Sequence, residues 1–207
     1  MKKQVKQKKS HHLLSLFSKL VIVLLVFCGF NLNILNANEA VSQHELSTQL
    51  QTMIRYNFIR TVAPLAQKAQ KEEHVLSSLT IAQACLESDF GQSLLASKYH
   101  NLFGVKSYGD VPTIKLNTQE YENNQWITIQ GSFRVYQNFE ASVLGHTRLF
   151  TKGTTWNPKQ YASVLAAKNY KTAAHAVQSS GYATDPDYAN KLISLIETYH
   201  LNKYDTM

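Results

Sequence analysis

Several common features are scarce or missing in this sequence. Cysteine occurs twice in 207 residues, as Cys28 and Cys85. Only Cys85 lies outside the N-terminal apolar run, and one thiol cannot close an internal disulfide. Four prolines and eight glycines exclude collagen-like and low-complexity chains. The longest apolar run, Leu20 to Phe30, has 11 residues. As a helix it spans about 16 Å, short of the roughly 30 Å hydrocarbon core. No His-Glu-x-x-His and no Cys/His zinc spacing occurs among the eight histidines. No metal or other cofactor is therefore expected, and His74, His100, His146 and His175 read as surface or supporting residues.

Acid is missing from one end. Nothing acidic precedes Glu39, whereas Lys2, Lys3, Lys6, Lys8, Lys9 and Lys19 all fall before residue 20. The net charge of +7 is thus carried by the leader, and the remainder is close to neutral. A near-neutral body has no general attraction for polyanions, which argues against nucleic acid as a partner. A basic start, an apolar run and a polar stretch holding Ala37 and Ala40 follow the order of a secretory signal. Residues 1–37 are assigned to that signal, which is either cleaved or kept as an anchor. The body then works outside the membrane, secreted or held at the cell surface, and touches membrane only through an uncleaved signal. A monomer is expected.

What is present falls into three blocks. Residues 38–58 are polar and aperiodic and read as a linker or lead-in, followed by a catalytic domain over 59–207. Residues 59–73 read as a helix whose regular part starts near Thr61, because Pro64 suits a first turn. Residues 77–88 form a second helix, capped by Ser77 or Ser78 and apolar almost all round, which places it at the centre of the fold. A short helix near 93–98 follows. The period then changes to two: 126–136 alternates cleanly and 111–121 less so, with Asn123-Asn124 as the turn. Helical periodicity returns over 140–151, 158–167, 170–180 and 186–200. The fold class is α+β, a mainly helical body with a small antiparallel β-hairpin lobe.

Glu87 is the informative residue. It ends the most apolar helix, where the C-terminal dipole disfavours negative charge, and Gln83 precedes it by one turn on the same face. No Lys or Arg lies within four residues of it on the helix. Such surroundings favour the protonated carboxyl that a glycosidase needs to protonate a leaving oxygen. A second carboxylate is available on the hairpin. Glu120 and Glu122 are two apart and share a strand face, so parity does not choose between them.

The segment 81–106, IAQACLESDFGQSLLASKYHNLFGVK, resembles the signature of bacterial cell-wall glucosaminidases, glycoside hydrolase family 73. The likeness continues in T-x-E-Y (118–121), F-R-x-Y (133–136) and GYATDPDYANKLISLIETYHL (181–201). It implies a lysozyme-like fold and an exported endo-β-N-acetylglucosaminidase. Its substrate would be peptidoglycan glycan strands, cut at the β-1,4 bond after N-acetylglucosamine for wall remodelling or daughter-cell separation. By the same resemblance Glu87 is the general acid and Glu120 the second acid, with Glu122 a weaker candidate. Gln83, Asn101, Phe103, Tyr136 and Tyr182 are implied as substrate-binding residues. Asp185 and Tyr188 are expected to cap and pack the last helix. An N-acetylmuramidase or lytic transglycosylase on the same fold is the neighbouring alternative. A non-catalytic peptidoglycan-binding module is the alternative from another class.

Overall fold

The computed structural model describes residues 41–107, 109–122 and 125–205. The expected signal and the expected turn residues Asn123 and Asn124 lie outside the described residues. The chain divides into two units, Met1–Met53 and Ile54–Met207. Residues 41–53, the described part of the first unit, are helical and exposed throughout. The expected linker is therefore helical from residue 41 on.

The second unit begins with α1 over residues 54–73. It runs through Pro64 without a break, contrary to the start expected near Thr61. Proline removes one backbone hydrogen bond and costs a helix interior about 3 kcal/mol. Here Pro64 points to solvent, while Phe58, Ile59, Val62, Ala63, Ala66 and Ala69 are buried and hold the helix in place.

Helix α2, Ser77–Ser88, lies at the centre. It packs against α6 (Tyr170–Ser179), α7 (Tyr188–Thr198) and a closing 3-10 turn, Leu201–Tyr204. Helices α3 (Leu94–Tyr99), α4 (Phe139–Lys152) and α5 (Ala162–Ala166) complete the body. Neither Ser77 nor Ser78 caps α2, because Leu76 occupies the cap position. Both serines sit inside the first turn, and their free backbone N–H groups find distant acceptors. Ser77 donates its backbone N–H and Oγ to Gln70 Oε1, at 2.8 and 2.6 Å. Ser78 donates the corresponding pair to Asp205, at 2.7 and 2.6 Å. Burial raises the Asp205 pKa and the Ser78 hydrogen bonds oppose that. These long-range caps suit a helix end buried under the last residues of the chain.

Strands β1 (Thr113–Glu122) and β2 (Gln125–Arg134) form a two-stranded antiparallel sheet, with Glu120 opposite Ile127 and Glu122 opposite Gln125. The expected alternation holds at the base, where Gly131 and Phe133 are buried. Higher up, Ile129 is 39% exposed, so the hairpin leaves the core. Lys106 bridges to Phe133, and Arg134 N–H bonds Val105 O at 3.0 Å, fastening the base to the body.

Candidate active site

Every residue of α2 is buried or half-buried except Glu87. The sequence argument treats its carboxylate as part of an apolar helix. The structure instead turns this one position outward, one residue before the helix ends. Ser88 then organises the exit. Its Oγ donates to Ala84 O and accepts from Gly91 N–H at 2.7 Å. Asp89, Phe90 and Gly91 follow with φ of 49°, 53° and 79°. Asp89 and Phe90, the two non-glycine residues in this left-handed run, carry backbone strain beside the carboxylate. Gly91 has no substitute here, since a Cβ would lie 2.6 Å from a Phe58 ring carbon.

Tyr188 holds Glu87. Its Oη donates to Glu87 Oε1 at 2.6 Å across 101 residues of sequence. Gln83 Nε2 donates to the same Oη at 3.1 Å. Burial pushes the Tyr188 phenol well above its ordinary pKa, and the charges of Tyr182 and Glu87 add to the shift. The phenol therefore stays protonated and keeps donating to the carboxylate. Gln83 and Glu87 occupy successive turns of α2 and Tyr188 opens α7, so the α2–α7 contact builds this relay. Sequence reasoning assigned Tyr188 to packing. It is buried as expected, but it also contacts the candidate acid. The repeated tyrosine in GYATDPDY was the one available hint.

Tyr182 stands beside this relay. It stacks on Tyr188 with centroids 5.8 Å apart and on Phe150 at the same spacing. It is half-buried, and burial raises its phenol pKa first, with Glu87 the next cause. Of the five expected substrate contacts, it alone is close to Glu87 and still partly open.

The other four are buried, so they support the cleft and offer no surface to a polymer. Gln83 and Asn101 are 0% and 1% exposed. Asn101 uses its whole amide: Oδ1 accepts from the N–H groups of Phe103 and Val105, and Nδ2 donates to Val105 O and Arg134 O. It ties the turn after α3 to the base of β2. Phe103 stacks on His146 with centroids 3.8 Å apart. Tyr136 packs against Gly145, where an added Cβ would sit 2.7 Å from its Oη. Of the two expected settings for His146, surface or supporting, the structure shows the second. It is fully buried, neither ring nitrogen has a hydrogen-bond partner, and burial pushes its pKa down to about 3.

Asp185 works two positions before the cap. It accepts from Asp187 N–H at 2.9 Å, while Asp187 itself holds the cap position of α7. Glu120 and Glu122 both lie on β1, two residues apart, and the register leaves them on one face. Among the described residues no cluster of His, Cys, Asp and Glu could hold a metal ion, and no helix is long and apolar enough to cross a membrane.

An outward carboxyl at the end of a buried helix, with a hairpin lobe beside a helical body, defines a lysozyme-like α+β protein. The glucosaminidase family profile, described as mannosyl-glycoprotein endo-beta-N-acetylglucosaminidase, matches residues 63–201. The chain belongs to this family, glycoside hydrolase family 73. The exo-glucosaminidase LytG of Bacillus subtilis is 49% identical over 148 residues, covering 72% of this chain and 52% of that protein. The catalytic domain of the autolysin Auto from Listeria monocytogenes superposes with a TM-score of 0.66 at 33% identity, covering 73% of this chain and 88% of that one. The glycoside hydrolase domain of FlgJ from Salmonella typhimurium gives 0.56 at 34%, covering 70% and 97%. The chain spans about half the length, or less, of the curated relatives it matches.

Proposed function

We propose that this chain is a peptidoglycan hydrolase that cuts the β-1,4 bond after N-acetylglucosamine, with Glu87 as general acid. One observation carries the reading: Glu87 is exposed at the end of a buried helix while Tyr188 occupies its Oε1. From that position the Glu87 carboxyl delivers a proton to the glycosidic oxygen. The leaving sugar departs as a neutral alcohol, positive charge builds up on the ring, and water completes the cleavage. Glu120 supplies the second carboxylate that faces this charge, with Glu122 as the weaker candidate. Tyr182 forms the cleft wall next to the scissile bond. The chemistry needs an acid, a carboxylate and water, so no cofactor enters it. The enzyme acts as a monomer outside the membrane, exported by residues 1–37, in wall remodelling or daughter-cell separation.

A second reading differs in where the strand is cut. The 49% identity to a protein named as an exo-glucosaminidase favours cleavage from strand ends over internal cleavage. One digest tests both points. Peptidoglycan treated with the purified protein is reduced with borohydride and analysed by mass spectrometry. N-acetylglucosaminitol at the new ends supports the proposal; N-acetylmuramicitol or anhydro sugars would refute the bond assignment. Disaccharide products from the first minutes mark end-wise action, and long fragments mark internal action.

A further inference from the structure

Trp156 is 77% exposed, although an indole is among the side chains with most to gain from burial. Its backbone is held firmly. Thr154 and Asn157 exchange both backbone hydrogen bonds, N–H to O at 3.1 and 3.2 Å, which leaves Thr155 and Trp156 as the apex of a closed turn. Thr154 Oγ1 accepts from Asn157 N–H and donates to Gln160 Oε1 at 2.8 Å. The turn sits tightly over Gly153, which has a φ of 66°. A Cβ there would lie 2.4 Å from Asn157 O and 2.5 Å from Pro158 O. Any other residue at 153 would open the turn.

The same turn is fastened to the wall of the candidate cleft. Gln160 Nε2 donates to Ser180 O at 2.9 Å, two residues before Tyr182. Tyr161, next in sequence, is buried edge-on to Tyr182 with centroids 6.4 Å apart. The loop carrying Trp156 and the loop carrying Tyr182 therefore form one braced surface, with Tyr182 at the Glu87 end.

We propose that Trp156 is a stacking platform for a saccharide ring of the glycan strand, a binding position that extends the cleft beyond Tyr182. The proposal rests on the peptidoglycan reading above. A pyranose offers a C–H face that matches the flat, electron-rich face of an indole, and the ring hydroxyls stay in water. A pre-set turn loses little freedom on binding, so the contact favours affinity. A platform apart from the Glu87–Tyr188 contact holds the strand and leaves the bond-breaking step alone.

Binding is read without turnover in the Glu87→Gln, Trp126→Phe double variant, where Trp156 is the only tryptophan. The probe is glycan strands freed of stem peptides by an amidase. Trp156 emission is expected to shift to the blue and saturate with added strands. In the otherwise native enzyme, Trp156→Ala is expected to raise KM on the same strands about tenfold with kcat unchanged, and Trp156→Phe to restore most of the loss. Unchanged emission together with an unchanged KM would overturn the proposal. A blue shift with phosphatidylglycerol vesicles and none with strands would also overturn it, because the indole would then be a lipid anchor. Strand binding by the double variant without hydrolysis by the native enzyme would refute the hydrolase reading and leave the platform standing.

Discussion

The helical body and the hairpin lobe each carry acidic residues of the proposed reaction, and the two regions are anchored in opposite ways. In the body, α2 is buried along its length and Glu87 is gripped through Tyr188 and Gln83. The side chain is oriented before any ligand arrives. The hairpin that carries Glu120 and Glu122 is a two-stranded sheet. It is fastened at its base through Phe133, Val105 and Lys106, and exposed along Lys115, Asn117, Gln119, Thr128 and Gln130. A lone two-stranded hairpin is marginal in water. Glu87 is therefore set by a core, whereas Glu120 and Glu122 lie on an arm fastened at one end.

The largest effect expected from the arm is the loss of its acid. Glu120→Gln should lower turnover about 10²-fold or more, in the range of a lost acid–base or charge-stabilising group, with Glu122→Gln milder. Turnover on purified peptidoglycan checks this. The reverse order would place the second acid two residues further along β1. In the body, Tyr188→Phe removes a hydrogen bond to a carboxylate, an interaction worth about 1.5–3 kcal/mol. A fall in kcat of about 10- to 100-fold is expected, with the fold retained by circular dichroism. An unaffected kcat would mean that the grip on Glu87 does not matter.

Two smaller effects probe the core behind the grip. The folded-state pKa of His146 is depressed from 6.5 to about 3. Between those values the unfolded chain binds a proton that the folded protein refuses. The stability this gives is full above pH 6.5 and is lost as pH falls toward 3, by about 1.4 kcal/mol per pH unit for the one group. Denaturant titrations of His146→Phe should show a flatter acid limb than the wild type. Cys85 is 1% exposed, and burial raises its thiol pKa. It should label slowly in the native state and quickly after unfolding, read by peptide mass. Cys85→Ala should keep full activity at a cost of about 1 kcal/mol in stability.

What the sequence disclosed follows from range. The helices over 77–88 and 140–151 and the hairpin were legible, because each depends on periodicity within a dozen residues. Glu87 was legible as a polar residue at the end of an apolar helix, but its exposure was not. Periodicity does not show which position of a buried helix faces a cleft. The capping of α2 by Gln70 and Asp205, and the grip of Tyr188 on Glu87, join residues as much as 127 apart, beyond any local pattern. Pro64 misled for the same reason: local propensity starts the regular helix near Thr61, and the packing of Phe58 through Ala69 overrides it. His146 reads as polar in sequence. Its burial depends on Phe150, one turn along the same helix, and on Phe103 and Tyr182, which arrive from two other segments.

The central claim is that the body presents Glu87 as a ready proton donor. Glu87→Gln tests it most directly, because the amide keeps the shape and an acceptor for Tyr188 and removes only the proton. Peptidoglycan turnover and thermal stability are measured on the same preparation. A loss of activity of at least about 10²-fold with an unchanged melting temperature is the predicted result. Near-wild-type turnover in the folded variant would contradict it.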